Sequence, residues 1–180
     1  LIRLGELLAQ QSGREKEINE IYLWGIEILQ RLYEEKPENR ENAIGLAQLR
    51  VALGELEARD GNRAAASKNV GLGLNLWEDL ATLDPDAIEY TLGLARALVA
   101  MAEQTEDGAE RIAASRRGVE VWERLCAENP AELAHQEQLT RILSSLADQV
   151  DATDKLAVVR RKMGVWENLC AAKPAESAYW

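Results

Sequence analysis

The stretch Gly73-Leu74-Asn75-Leu76-Trp77-Glu78-Asp79-Leu80-Ala81-Thr82-Leu83-Asp84-Pro85 decides how the rest of the chain is read. A small residue is followed four places later by Trp, three after that by Leu, and five after that by Pro. The same frame recurs as Gly118, Trp122, Leu125 and Pro130, and again as Trp166, Leu169 and Pro174, where Lys162 breaks the series of small residues. An earlier copy, with Gly25, Leu29, Leu32 and Pro37, has Leu where the others have Trp. The chain contains four prolines, and they stand 48, 45 and 44 residues apart. The segments that follow them agree as well. Nine residues after the first three prolines stand Leu46, Leu94 and Leu139; sixteen after stand Leu53, Met101 and Leu146. Repetition at a fixed period of this length means a stack of like units, each burying an apolar face only against its neighbours.

Each copy holds two apolar stretches of helical period, which places helices at about 1–12, 15–36, 38–59, 62–83, 86–105, 108–129, 131–150 and 154–173. Between them lie the turn signals Ser12-Gly13, Asp60-Gly61-Asn62 and Asp107-Gly108, and the capping run Asp151-Ala152-Thr153-Asp154. Each proline is expected in the first turn of the helix that follows, where its missing N–H costs nothing. Short links make consecutive helices antiparallel. Gly25, Gly73 and Gly118 cost about 1 kcal/mol each against Ala, a cost tolerated where another helix backbone comes close. The fold expected is all-α, with about eight helices in one array. Its units would span 1–37, 38–85, 86–130 and 131–174, with 175–180 opening a further copy. Since Leu4-Gly5-Glu6-Leu7 echoes Leu53-Gly54-Glu55-Leu56, the sequence reads as a piece of a longer protein.

The spacings Gly73-Trp77-Pro85 and Gly118-Trp122-Pro130 resemble helix B of the tetratricopeptide repeat, and Leu46-Ala47 and Leu94-Ala95 resemble its helix A. The likeness covers essentially the whole chain. It departs from the family in length, because that repeat has about 34 residues. It also lacks the family's aromatic near the start of helix A, where Ala43, Thr91 and Gln136 stand, and has Leu where a small residue is expected five before Pro. The resemblance implies a long-repeat variant, a right-handed α-solenoid of stacked antiparallel pairs. Gly73, Trp77, Leu80, Pro85, Gly118, Trp122, Leu125, Pro130, Trp166, Leu169 and Pro174 would then be its structural frame. The tryptophans are expected in the inter-helix core; Trp24 lies off the register.

The resemblance further implies a concave face lined by A helices. The positions facing it lie four, seven, eleven and fourteen residues after each proline, and their polar members include Gln48, Glu89, Arg96, Glu137, Arg141 and Ser144. The eleventh place holds Gln48, Arg96 and Arg141, a row able to grip carboxylates because the guanidinium fork matches them bidentately. The guest expected is a protein or peptide, acidic or presenting a C-terminal carboxylate. Two readings stay open for this row, a binding site or a solvated surface with Glu89 and Glu137 neutralising the two Arg. An intramolecular partner domain in a larger bacterial signalling protein, and self-association through apolar end faces, are the competing functions.

Composition narrows the remaining classes. The net charge is −10, which opposes non-specific contact with nucleic acid or an anionic membrane. No run approaches the ~20 apolar residues of a membrane span. Cys126 and Cys170 share one place in successive copies and read as packing residues of a cytoplasmic chain, with His135 as the sole histidine. There is no phosphate loop, nucleophile elbow or zinc-binding His pair, so neither catalysis, cofactor nor metal is expected. Arg116-Arg117 and Arg160-Arg161-Lys162 form a patch or pair locally, as Arg116 would with Glu120 one turn on.

Overall fold

A computed structural model describes residues 15–172. Among these residues there are seven helices and no strand. They are α1 (Glu15–Glu35), α2 (Arg40–Arg59), α3 (Arg63–Leu83), α4 (Ile88–Gln104), α5 (Gly108–Glu128), α6 (Leu133–Gln149) and α7 (Ala152–Ala172). The helix expected at about 1–12 lies outside the described residues, as does Pro174. The chain forms two compact units, Leu1–Glu106 and Asp107–Trp180. The boundary falls between the two helices of the segment 86–130.

The turns explain where the helices begin. Asn39 N–H bonds to Lys36 C=O, Ala87 N–H to Asp84 C=O, and Glu132 N–H to Asn129 C=O. Each is a four-residue turn with Pro37, Pro85 or Pro130 in its second place, where a fixed φ near −65° is preferred. The prolines therefore precede the helices instead of occupying their first turns. This is why α2, α4 and α6 each start two residues later than the sequence suggested. Asn39, Asp107 and Asp151 cap α2, α5 and α7 by accepting two backbone N–H bonds each. Gly61, at φ 82°, is the one positive-φ residue among those described, and it closes the Asp60-Gly61-Asn62 turn. The Asp107-Gly108 signal works differently, since Gly108 opens α5 behind the Asp107 cap.

In the first unit, α1 packs on α2, α2 on α3, α3 on α4, and α2 also touches α4. Ile18, Tyr22 and Ile26 of α1 close over Leu46, Leu49, Leu53 and Leu56 of α2. The α2–α3 pair is joined by reciprocal glycines. A β-carbon on Gly54 would lie 2.8 Å from Ala66 O, and one on Gly73 would lie 2.9 Å from Ala47 O. Late α2 thus meets early α3, and mid-α3 meets earlier α2, which makes the pair antiparallel. A polar bridge also ties them. Arg50 donates to Asn69 Oδ1 at 2.9 Å, and Asn69 Nδ2 donates to Glu57 at 2.8 Å. Burial holds the Arg50 guanidinium below its ordinary pKa, and Glu57 pulls it partly back.

In the second unit, α6 packs on both α5 and α7. Val119, Trp122 and Leu125 of α5 are buried, with Leu139, Ile142, Leu143 and Leu146 of α6 and Val158 and Leu169 of α7. Arg116 meets Asp154 at 2.6 Å, and Arg161 forks onto Glu123 at 3.0 and 2.6 Å. Both pairs span α5 and α7 at the same sequence offset, so these two helices run parallel. The predicted Arg116–Glu120 pairing is therefore corrected, because a carboxylate on α7 reaches the guanidinium. Trp166 requires a second correction. It is 37% exposed, whereas its counterparts Trp77 and Trp122 are 3% and 1% exposed. Trp77 and Trp122 are followed by α4 and α6, which pack on their helices. No helix among the described residues follows α7.

Candidate functional site

A groove of about 670 Å³ opens between α2 and α4 in the first unit. The α2 wall carries Gln48, Val51, Ala52 and Glu55; the α4 wall carries Glu89, Leu92, Gly93, Arg96 and Ala97. Each wall is one helical face, since residues three, four and seven apart project together. Trp77 of α3 forms the floor. Its indole lies against Gly93, where a β-carbon would come within 2.5 Å of the ring. Only a bare α-carbon allows the wall to approach the floor this closely.

Five of the positions read from the proline register line this groove, namely Gln48, Val51, Glu89, Leu92 and Arg96. The polar three among them, Gln48, Glu89 and Arg96, are all exposed. Arg96 has no ion pair or hydrogen bond among the described residues, although two carboxylates share its groove. The other three predicted residues belong to α6 in the second unit. Glu137 and Arg141 are exposed there and both are engaged by neighbouring groups. Ser144 differs, because its hydroxyl donates to Thr140 C=O on its own helix at 2.8 Å and is half-buried.

The proline register had a further signal for the groove. An acid recurs eighteen residues after the prolines as Glu55, Glu103 and Asp148. Glycine recurs eight residues after as Gly45 and Gly93, until Gln138 breaks the series. A glutamine cannot offer the bare backbone that Gly93 gives Trp77. Trp122 instead meets His135, with ring centroids 5.7 Å apart and planes tilted by 53°.

The second unit has its own groove of about 600 Å³, beside Cys126, Pro130, Gln136, Leu139 and Val165. Burial, with Glu123 adding repulsion, pushes the Cys126 thiol up to about 11, so it is protonated near neutrality. That is poor preparation for a thiolate ligand or nucleophile. No cluster of three or more His, Cys, Asp or Glu able to hold a metal occurs among the described residues. No helix among them is long and apolar enough to cross a membrane.

A scan against protein-family models and a search of curated proteins found no match to this chain.

Proposed function

We propose that the chain is a tetratricopeptide-like repeat array, a long-repeat α-solenoid, that holds a peptide or protein segment against its A helices without catalysing a reaction. The α2–α4 groove is its seat for a guest. The observation that carries this reading is Arg96, an exposed guanidinium with no ion pair or hydrogen bond among the described residues, set among Val51, Ala52 and Leu92 in a groove of about 670 Å³. A guanidinium there suits a carboxylate adjoining an aliphatic side chain.

The other charges sharpen the choice of guest. Glu55 and Glu89 share the groove with this single cation. A run of acidic side chains would meet more repulsion than attraction, so the guest is a segment with one carboxylate, best placed at a C-terminus. Gln48 supplies an amide that donates and accepts, fitting the backbone of an extended peptide. Fluorescence anisotropy with a labelled peptide library ending in aliphatic residues tests this. Free-carboxylate peptides should bind, and amidating the terminus or making Arg96→Glu should weaken them about tenfold or more. Equal binding of acid and amide forms, together with indifference to Arg96→Glu, would remove the groove from consideration.

A further inference from the structure

Glu89 and Arg96 stand seven residues apart on the α4 wall of the groove. Two helical turns put them on one face, about 10 Å apart along the axis. Both side chains are exposed, and neither has an ion pair or hydrogen bond among the described residues. Glu55, the other acid of the groove, is already engaged by a neighbouring group. The α4 wall therefore offers one uncommitted charge of each sign, with Leu92 and Gly93 between them.

This pairing of charges is confined to one copy of the repeat. Four and eleven residues after the first three prolines stand Glu41 and Gln48, then Glu89 and Arg96, then Ala134 and Arg141. The first copy has the acid without the base, and the third has the base without the acid. Helix α1 packs on α2, and α3 packs on both walls, yet neither brings a counter-charge to Glu89 or Arg96.

We infer that the groove selects a peptide end carrying two opposite charges: a C-terminal carboxylate on Arg96 and, three residues before the last, a Lys or Arg that meets Glu89. This rests on the reading of the groove as a seat for a C-terminus and adds to it a sequence requirement. The spacing follows from the rise of an extended chain, about 3.3 Å per residue, so the ~10 Å between the two groups is three residues of guest. The direction follows from the signs. The guest runs parallel to α4, with its terminus toward the C-terminal end of that helix. Reversed, its carboxylate would meet Glu89 and its base Arg96, two repulsions in place of two attractions. An acid in place of the guest's base is rejected for the same reason.

The test measures anisotropy of three labelled peptides with the whole chain. They end in Lys-Ala-Ala-Leu, Ala-Ala-Ala-Leu and Glu-Ala-Ala-Leu, each with a free carboxylate. The Lys peptide should bind about three- to fivefold tighter than the Ala peptide, the size of a well-placed exposed ion pair, and the Glu peptide should bind most weakly. Glu89→Lys should invert this order, and Glu89→Gln should level it. Glu89 lies in the first turn of α4, where negative charge is favoured, so the milder Gln variant serves if circular dichroism shows the Lys variant unfolded. Moving the Lys to six residues before the last should return the affinity to that of the Ala peptide. If the three peptides bind equally, or the Glu89 variants leave their order unchanged, while amidation and Arg96→Glu still weaken binding, this inference falls and the C-terminal seat stands. If no peptide binds, or binding ignores both amidation and Arg96→Glu, the two fall together.

Discussion

The Trp77 indole rests on the backbone of Gly93, with ring atoms 2.5 Å from where a β-carbon would stand. Real β-carbons do not come so near a neighbour, and Trp77 is only 3% exposed, so its ring has little room to yield. Gly93→Ala gains about 1 kcal/mol of helix propensity. It also overpacks a filled site, which costs typically 1–3 kcal/mol. A net loss of up to about 2 kcal/mol is expected, read as a lower urea midpoint at unchanged slope.

Gly71 supplies the opposite case on the neighbouring helix. It lies within α3, its φ is negative, and a β-carbon there would meet nothing within 4 Å. Gly71→Ala should therefore stabilise the chain by about 0.4–1 kcal/mol, chiefly by restricting the unfolded chain. A raised urea midpoint for Gly71→Ala beside a lowered one for Gly93→Ala separates packing from propensity. The same sign for both would show that the Trp77–Gly93 contact is not limiting.

The seven described helices were legible to within about two residues because each end has a local chemical cause. Asp60-Gly61-Asn62 and the Asp107 and Asp151 caps act within a few residues of sequence. The prolines were legible as markers but not as to place, because a proline opening a helix and one in the second position of a β-turn share the same φ. Gln48, Glu89 and Arg96 meet in one groove because α2 and α4 each project residues seven apart from one face. Ser144 occupies an equivalent place, yet its short side chain bonds back to its own helix, a competition that register cannot reveal. Arg116 shows the same limit. Sequence displays Glu120 one turn away and hides Asp154, which reaches Arg116 only because α5 and α7 both pack on α6.

The Arg50–Asn69–Glu57 bridge makes a prediction about a buried amide. Asn69 is 9% exposed and serves both charges, accepting from one and donating to the other. Asn69→Leu keeps the branching of the side chain and removes both bonds, leaving a half-buried guanidinium without its acceptor. A loss of about 2 kcal/mol is expected, since an unsatisfied buried polar group costs about 1–3 kcal/mol and more when charged. Adding Arg50→Met to Asn69→Leu should recover part of that loss in urea unfolding, because the stranded charge is then gone.

The raised Cys126 thiol predicts slow chemistry. In a Cys170→Ser background, reaction with an aromatic disulfide at pH 8 should be well below that of a free cysteine. The rate should climb about tenfold per pH unit until near 11, since the thiolate is the nucleophile. The folded state holds this proton more tightly than the unfolded one. The site's contribution to stability is therefore full below about pH 9 and is lost as pH rises through about 11. A thiol already half-reacted at the rate of a free cysteine at pH 8 would contradict the burial.

The two ion pairs between α5 and α7 invite an overestimate that a double-mutant cycle would correct. Arg161 grips Glu123 through two bonds, and Arg116 meets Asp154 at 2.6 Å, yet all four side chains are between 36% and 55% exposed. Water screens such charges, and ordering two long side chains opposes the attraction. The cycle of Arg161→Met with Glu123→Gln should give a coupling of about 0.2–1 kcal/mol, and the bidentate geometry places it toward the upper end. At 1 M salt the Debye length falls to about 3 Å, so the coupling should shrink measurably. If it instead stayed constant with salt, the contact would owe its strength to packing of the Arg161 stem, and Arg161→Lys, which keeps a long aliphatic stem, would then retain most of it.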